Sequence, residues 1–87
     1  MRVTPSAAVL WCLADPPVDV QIIDVSRNGV GLTSASPLVA GSSVSIIRGT
    51  LTIKGTVTYC RELPSQSEYA VGVNITKVIN AAVGKEI

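Results

Sequence analysis

The chain has almost none of the residues on which most enzymes depend. Its 87 residues include no histidine and no phenylalanine, and aromatic residues make up only 3%. The absence of histidine removes the commonest general base and the commonest metal ligand. The only two cysteines, Cys12 and Cys60, lie too far apart to form a zinc motif and are expected to be reduced, buried thiols. Without a phosphate-binding loop or an activated nucleophile, the sequence predicts a protein that is not an enzyme and has no metal or cofactor.

Charge is also sparse. Seven basic and six acidic residues give a net charge of +1, and the basic residues are scattered along the chain. A nucleic-acid interface needs a basic stripe or exposed aromatic residues, so we expect no DNA or RNA partner. No segment approaches the ~18 apolar residues of a membrane span, and the N-terminus does not resemble a signal peptide. We therefore expect a cytoplasmic protein without a membrane span.

The residues that are present favour β-strands. Apolar residues make up 47% of the chain, and they are mostly aliphatic. From Leu51 to Arg61, apolar and polar residues alternate, which predicts a strand with Leu51, Ile53, Val57 and Tyr59 on one face. Five further runs have the length and composition of strands: Ala8–Leu13, Val18–Ile22, Val30–Leu32, Val44–Ile46 and Tyr69–Ile75.

The tail has a different periodicity. Apolar residues from Val78 to Val83 follow helical spacing, with Thr76 as an N-cap and Gly84 just beyond the end. The chain is thus predicted to be one domain, residues 1–87, with an N-terminal arm (1–6), six strands of a small all-β barrel or sandwich (7–75) and a short helix (76–84). A domain this small is modestly stable alone, so a homo-oligomer or a larger partner would be favourable.

One turn carries a family resemblance. The segment from Asp24 to Gly29 reads D-V-S-R-N-G and is followed by an apolar strand, which resembles the D/N-x-S-x-x-G motif of the PilZ family. The hairpin formed by residues 55–63 and 69–75 is similar to the one that closes PilZ barrels. The resemblance covers roughly residues 6–80. It implies a six-stranded antiparallel barrel, often followed by a helix, in a bacterial signalling module of a family that often binds cyclic di-GMP.

The resemblance also implies a ligand site. Family members contact cyclic di-GMP through an R-x-x-x-R segment before the first strand and through the D/N-x-S-x-x-G turn. The corresponding positions in this chain, together with the two neighbours inside the turn, are Arg2, Asp24, Ser26, Arg27, Asn28 and Gly29. Arginine matches phosphate oxygens and the O6/N7 edge of guanine, and a carboxylate accepts hydrogen bonds from guanine N1 and N2.

The second arginine of that pattern is missing, because Ser6 occupies its position. A charge-assisted hydrogen bond is worth ~1.5–3 kcal/mol, so the loss corresponds to about a tenfold to hundredfold weaker affinity. The sequence thus predicts a PilZ-type regulatory module with weak or absent nucleotide binding and a protein partner. The alternative is a functional cyclic di-GMP effector that uses Arg2 and the turn.

The turn residues also have an explanation that needs no ligand. Asp and Ser cap local backbone groups, and an Asn-Gly pair tolerates positive φ. This interpretation predicts that Asn28 or Gly29 adopts positive φ in a turn between two adjacent antiparallel strands.

Overall fold

The computed structural model describes residues 2–12, 16–81 and 85–86, and for Arg2, Val3, Gln66, Lys85 and Glu86 it describes the backbone only. The strands are β1 (Arg2–Trp11), β2 (Val18–Val25), β3 (Gly29–Ser34), β4 (Ser43–Arg48), β5 (Leu51–Leu63), β6 (Glu68–Asn80) and β7 (Lys85–Glu86). A single 3-10 turn, Pro64–Gln66, connects β5 to β6. Residues 2–6, predicted as an arm before the barrel, form the first part of β1.

Six antiparallel strands close into a barrel, which confirms the predicted fold class. Neighbouring strands follow the order β3-β2-β1-β4-β5-β6, and β3 pairs with β6 to complete the ring. The closing pairs run from Gly29 opposite Asn74 to Ser34 opposite Tyr69. The two-residue strand β7 adds to the end of β6, outside this closure. Every strand of the ring has two neighbours, so the barrel proper has no free sheet edge along the paired segments.

The core is aliphatic, as the composition predicts. Its buried side chains are Ala8, Leu10, Val20, Ile22, Val30, Leu32, Val44, Ile46, Val57, Val71 and Val73. The β5–β6 hairpin contributes the predicted residues Val57, Val71 and Val73, while Ile53 packs against the core and is partly buried. Leu51, predicted inside, is also partly buried. Burying an aliphatic side chain of this size stabilises the fold by about 1.5–3 kcal/mol, so these alternating positions fix the register.

The tail differs from the prediction. The first five residues of the helix predicted over residues 76–84 continue β6 instead, and residues 82–84 lie outside the described residues. On β5, Lys54 is opposite Lys77 and the next residue, Gly55, is opposite Ile75. Thr76 has no partner in this pairing and is therefore an extra residue in β6. Such a bulge moves the inward face by one position. The apolar residues beyond it therefore lose strand periodicity and resemble a helical pattern.

A second bulge changes the exposure of Tyr59. Val57 pairs with Val73 and Tyr59 pairs with Gly72, so Thr58 is the extra residue. Val57 points inward and is 1% exposed, whereas Tyr59 is 48% exposed. The prediction that Tyr59 shares the inward face of Val57 is wrong, because the bulge reverses the alternation between them.

Candidate functional site

The predicted turn lies between β2 and β3, as expected from the sequence. The backbone N–H of Ser26 donates to the carbonyl oxygen of Gly29 at 2.9 Å, and the Ser26 hydroxyl donates to the same oxygen at 3.3 Å. The carbonyl oxygen of Asn28 accepts from the backbone N–H of Ile75 at 2.7 Å. These bonds hold the turn against both β3 and β6, so its position on the barrel is well defined.

Gly29 has a role other than the predicted one. Neither Asn28 nor Gly29 adopts positive φ, so that prediction is wrong. A Cβ atom on Gly29 would lie 3.2 Å from the carbonyl oxygen of Val73 and 3.5 Å from the Ser26 hydroxyl. The absence of a side chain at Gly29 therefore serves the close approach of β3 to β6 and not the turn conformation.

A row of four residues crosses the outer surface beside this turn. Asp24 on β2 is opposite Gly31 on β3, Gly31 is opposite Gly72 on β6, and Gly72 is opposite Tyr59 on β5. Because the two central positions are glycines, the row is low in the middle and high at its ends. The result is an open groove of about 220 Å³, lined by Asp24, Ser26, Gly29, Val30, Gly31, Thr58, Tyr59, Gly72 and Val73.

The tyrosine ring rests on the backbone of the facing glycine. A Cβ atom on Gly72 would lie only 2.2 Å from Cε2 of Tyr59. The Thr58 hydroxyl donates to the carbonyl oxygen of Gly72 at 3.1 Å, which fixes the bulge beneath the ring. The groove thus combines a carboxylate at one end, exposed backbone in the middle and a phenol ring at the other end. Such a surface accepts hydrogen bonds at Asp24 and offers Tyr59 as a face for a planar group.

The structure separates the predicted site residues. Three of them line the groove, namely Asp24, Ser26 and Gly29. Arg27 and Asn28 are exposed in the turn but are not part of the groove lining. The backbone of Arg2 is opposite Asp24 in the β1–β2 pairing, and its side chain lies outside the described part of the structure. The register therefore extends the row across the groove by one strand, to Arg2.

Ser6 lies elsewhere, at one end of the barrel. Its hydroxyl accepts a hydrogen bond from Nε of Arg48 on β4. Both residues line a mainly apolar opening of about 280 Å³, together with Thr4, Ile22, Val25, Leu51 and Ile53. The sequence suggested only that Arg48 is a solvated residue of a strand face. The structure instead places its guanidinium beside Ser6.

Sequence reasoning missed Tyr59 as a residue of the groove. Strand alternation places Tyr59 inside, and the Thr58 bulge has no distinct signature because threonine is common in regular strands. One available signal is Gly72, which occupies an outward position in an otherwise regular alternating strand. A glycine there is often covered by an aromatic residue from the neighbouring strand.

The remaining candidate features are structural. Cys12 and Cys60 are free thiols that pack partly buried against the core, and the Cys60 sulfur accepts a hydrogen bond from the backbone N–H of Leu38 at 3.4 Å. Within residues 2–12, 16–81 and 85–86, no three metal-binding side chains come together. The same part of the chain contains no helix long and apolar enough to cross a bilayer.

Comparison with protein-family models, with curated proteins and with solved structures gave no match. The PilZ resemblance thus depends on the turn motif, the strand order and the hairpin that the sequence predicts.

Proposed function

We propose that this protein is a PilZ-type bacterial regulatory module whose cyclic di-GMP binding is weak or absent and which acts through a protein partner. The observation that carries the proposal is the composition of the groove. Asp24, Ser26 and Gly29 lie together on an accessible surface, in the arrangement that the family motif implies. Ser6, which the resemblance aligns with the second arginine, supplies no positive charge, and its hydroxyl is already bonded to Arg48.

The electrostatics of the groove disfavour a doubly phosphorylated ligand. Among the described side chains that line it, none is basic, and the only ionisable groups are the Asp24 carboxylate and the Tyr59 phenol. A phosphate needs a cationic or N–H donor partner, and a carboxylate nearby repels it. The Ser26 hydroxyl donates a hydrogen bond to the Gly29 carbonyl oxygen, so its donor is already used within the turn. These features support weak binding.

One observation favours the alternative, a functional cyclic di-GMP effector. The backbone register places Arg2 opposite Asp24, at the end of the row that forms the groove. In this arrangement a guanine could donate N–H groups to Asp24 and stack on Tyr59, while Arg2 binds a phosphate. Base stacking on an aromatic side chain contributes about 1–3 kcal/mol, which would partly offset the missing second arginine.

Calorimetric titration with cyclic di-GMP tests both functions. We expect either no measurable binding or a micromolar dissociation constant for the unmodified chain. Arg2→Ala and Arg27→Ala form a matched pair, because both remove one arginine but only Arg2 lies in the row across the groove. If weak binding is measured and is lost with Arg2→Ala, Asp24→Ala and Tyr59→Ala but kept with Arg27→Ala, the alternative holds. A nanomolar dissociation constant for the unmodified chain would refute the proposed weak site.

A further inference from the structure

The barrel carries an apolar surface on the side opposite the groove. The outward residues of β1 and β4 include Val9, Trp11 and Ile47, and we call the outer surface around them the β1–β4 face. Val9 is directly opposite Ile47 in the β1–β4 pairing. Trp11 is 43% exposed and Ile47 is 37% exposed. An outer sheet face that meets only water normally carries polar residues at such positions. A contiguous apolar patch of this kind is typical of an interaction surface.

Charges of opposite sign flank this apolar surface. Asp19 on β2 is opposite Val9 and exposed, so one side of the face is acidic. On the other side, Lys54 on β5 is opposite Ser45 and exposed, so this side of the face is basic. Across the strands the face therefore changes from acidic through apolar to basic.

This charge order is complementary to itself. A half-turn rotation about an axis between β1 and β4, parallel to both strands, lays β2 of one copy over β5 of another. Asp19 of each copy then faces the side of the other copy that carries Lys54, so each attractive contact occurs twice. An axis across the strands would bring Asp19 against Asp19 instead. We propose that the β1–β4 face binds a second copy of this chain in a two-fold symmetric dimer about the first axis.

The size and composition of the chain fit such a dimer. A standard interface buries about 800 Å² on each partner, and the whole chain exposes 5497 Å². The mean hydropathy of the sequence is +0.46, and only 15% of its residues are charged. Because the core of so small a domain can bury only part of the apolar surface, apolar residues remain on the outside of the barrel. The middle of the groove lies on β3 and β6, across the ring from the pair Val9 and Ile47, so a dimer of this kind leaves it accessible. Dimer formation and nucleotide binding can therefore fail independently.

Sedimentation velocity over a dilution series measures the dimer, and Trp11 provides a second probe because it is the only tryptophan. We expect the dimer mass at high concentration, with the tryptophan emission moving to longer wavelength as dilution exposes Trp11. Ile47→Lys should produce a monomer. The matched control is Val39→Lys, which replaces another exposed aliphatic residue (75% exposed) between β3 and β4 and should leave the dimer intact. A monomer at every concentration, or a dimer that Ile47→Lys does not dissociate, would overturn the proposal.

A charge exchange tests the axis without touching an apolar residue. Asp19→Lys should weaken the dimer about tenfold, because two attractive contacts become repulsive. Adding Lys54→Asp to the same chain should restore the dimer, because the two charges have then exchanged sides and attract again. If Asp19→Lys weakened the dimer only by disturbing the fold, Lys54→Asp would not restore it. Circular dichroism shows whether each variant is folded. If Ile47→Lys unfolds the chain, Asp19→Lys and its combination with Lys54→Asp still test the dimer. Two single variants without effect, or a double variant that stays monomeric, would exclude this arrangement.

Discussion

Gly55 lies where β5 and β6 approach most closely, and replacing it with alanine should destabilise the barrel. It is buried, and a Cβ atom there would lie 2.3 Å from the carbonyl oxygen of Asn74 and 2.7 Å from Cγ1 of Val73. Because real Cβ contacts are essentially never shorter than 3.0 Å, the Asn74 backbone has to move by about 0.7 Å to reach that limit. A backbone carbonyl in a closed barrel cannot rotate away as a surface side chain can.

The cost follows from this displacement. Moving β6 by that amount stretches a neighbouring ladder bond from about 2.9 Å to about 3.6 Å, where it no longer counts as a hydrogen bond. The lost bond costs ~1 kcal/mol, and overpacking of this kind adds ~1–3 kcal/mol. The lower conformational entropy of unfolded alanine returns ~0.5–1 kcal/mol. We therefore expect Gly55→Ala to lower the free energy of unfolding by about 1–3.5 kcal/mol and the Tm by about 5–25 °C.

Urea denaturation followed by far-ultraviolet circular dichroism measures this loss, and Gly72→Ala is the matched control. The atoms nearest to a Cβ atom on Gly72 all belong to the ring of Tyr59, which is half exposed and can turn outward. Gly72→Ala should therefore change the unfolding free energy by less than about 1 kcal/mol. If Gly55→Ala is as stable as Gly72→Ala, the argument from close backbone approach is refuted.

Two further substitutions test particular hydrogen bonds. Ser6→Arg should strengthen cyclic di-GMP binding about tenfold by calorimetry, whereas Ser6→Ala, which removes only the acceptor of the Arg48 bond, should not. Adding Asp24→Ala should abolish the gain, and a Ser6→Arg variant that gains nothing would indicate that this surface serves a protein partner. Ser34→Ala should lower the unfolding free energy by about 1–2 kcal/mol, because the buried hydroxyl donates to the Ser36 carbonyl at 2.7 Å and accepts from its N–H at 3.1 Å. An unchanged urea midpoint for Ser34→Ala would contradict this role.

Strand alternation was sufficient to predict the strands, and the PilZ resemblance implied their closure into a barrel, but neither predicted the bulges. Between Leu51 and Val57 the predicted inward positions are correct, because one buried face constrains every second residue. The alternation fails after Thr58 and again at Thr76, where one extra residue reverses the face. Both bulges are in the pairing of β5 with β6. Because a bulge is defined by which residues of two strands lie opposite each other, the side-chain pattern of one strand does not reveal it. The predicted C-terminal helix fails over its first five residues for this reason.

The site was predictable only where its residues are adjacent in sequence. Asp24, Ser26 and Gly29 belong to one short motif, and the structure brings them to one groove. Tyr59 reaches the same groove through the strand pairing, and Arg48 reaches Ser6 from another strand. Contacts between distant residues depend on register, which a single sequence specifies only indirectly.

The closure of the barrel has a consequence for how the chain is made. Closure requires β3 to pair with β6, and Gly29 finds Asn74 only after most of the chain has left the ribosome. Until then, β1 to β5 can form at most an open sheet whose apolar inner face is uncovered and whose two edge strands are unpaired. A chain that stops at Leu63 should therefore aggregate rather than yield a smaller folded domain. During synthesis, we therefore expect the apolar inner face of the nascent chain to stay uncovered, and open to aggregation, until β6 emerges.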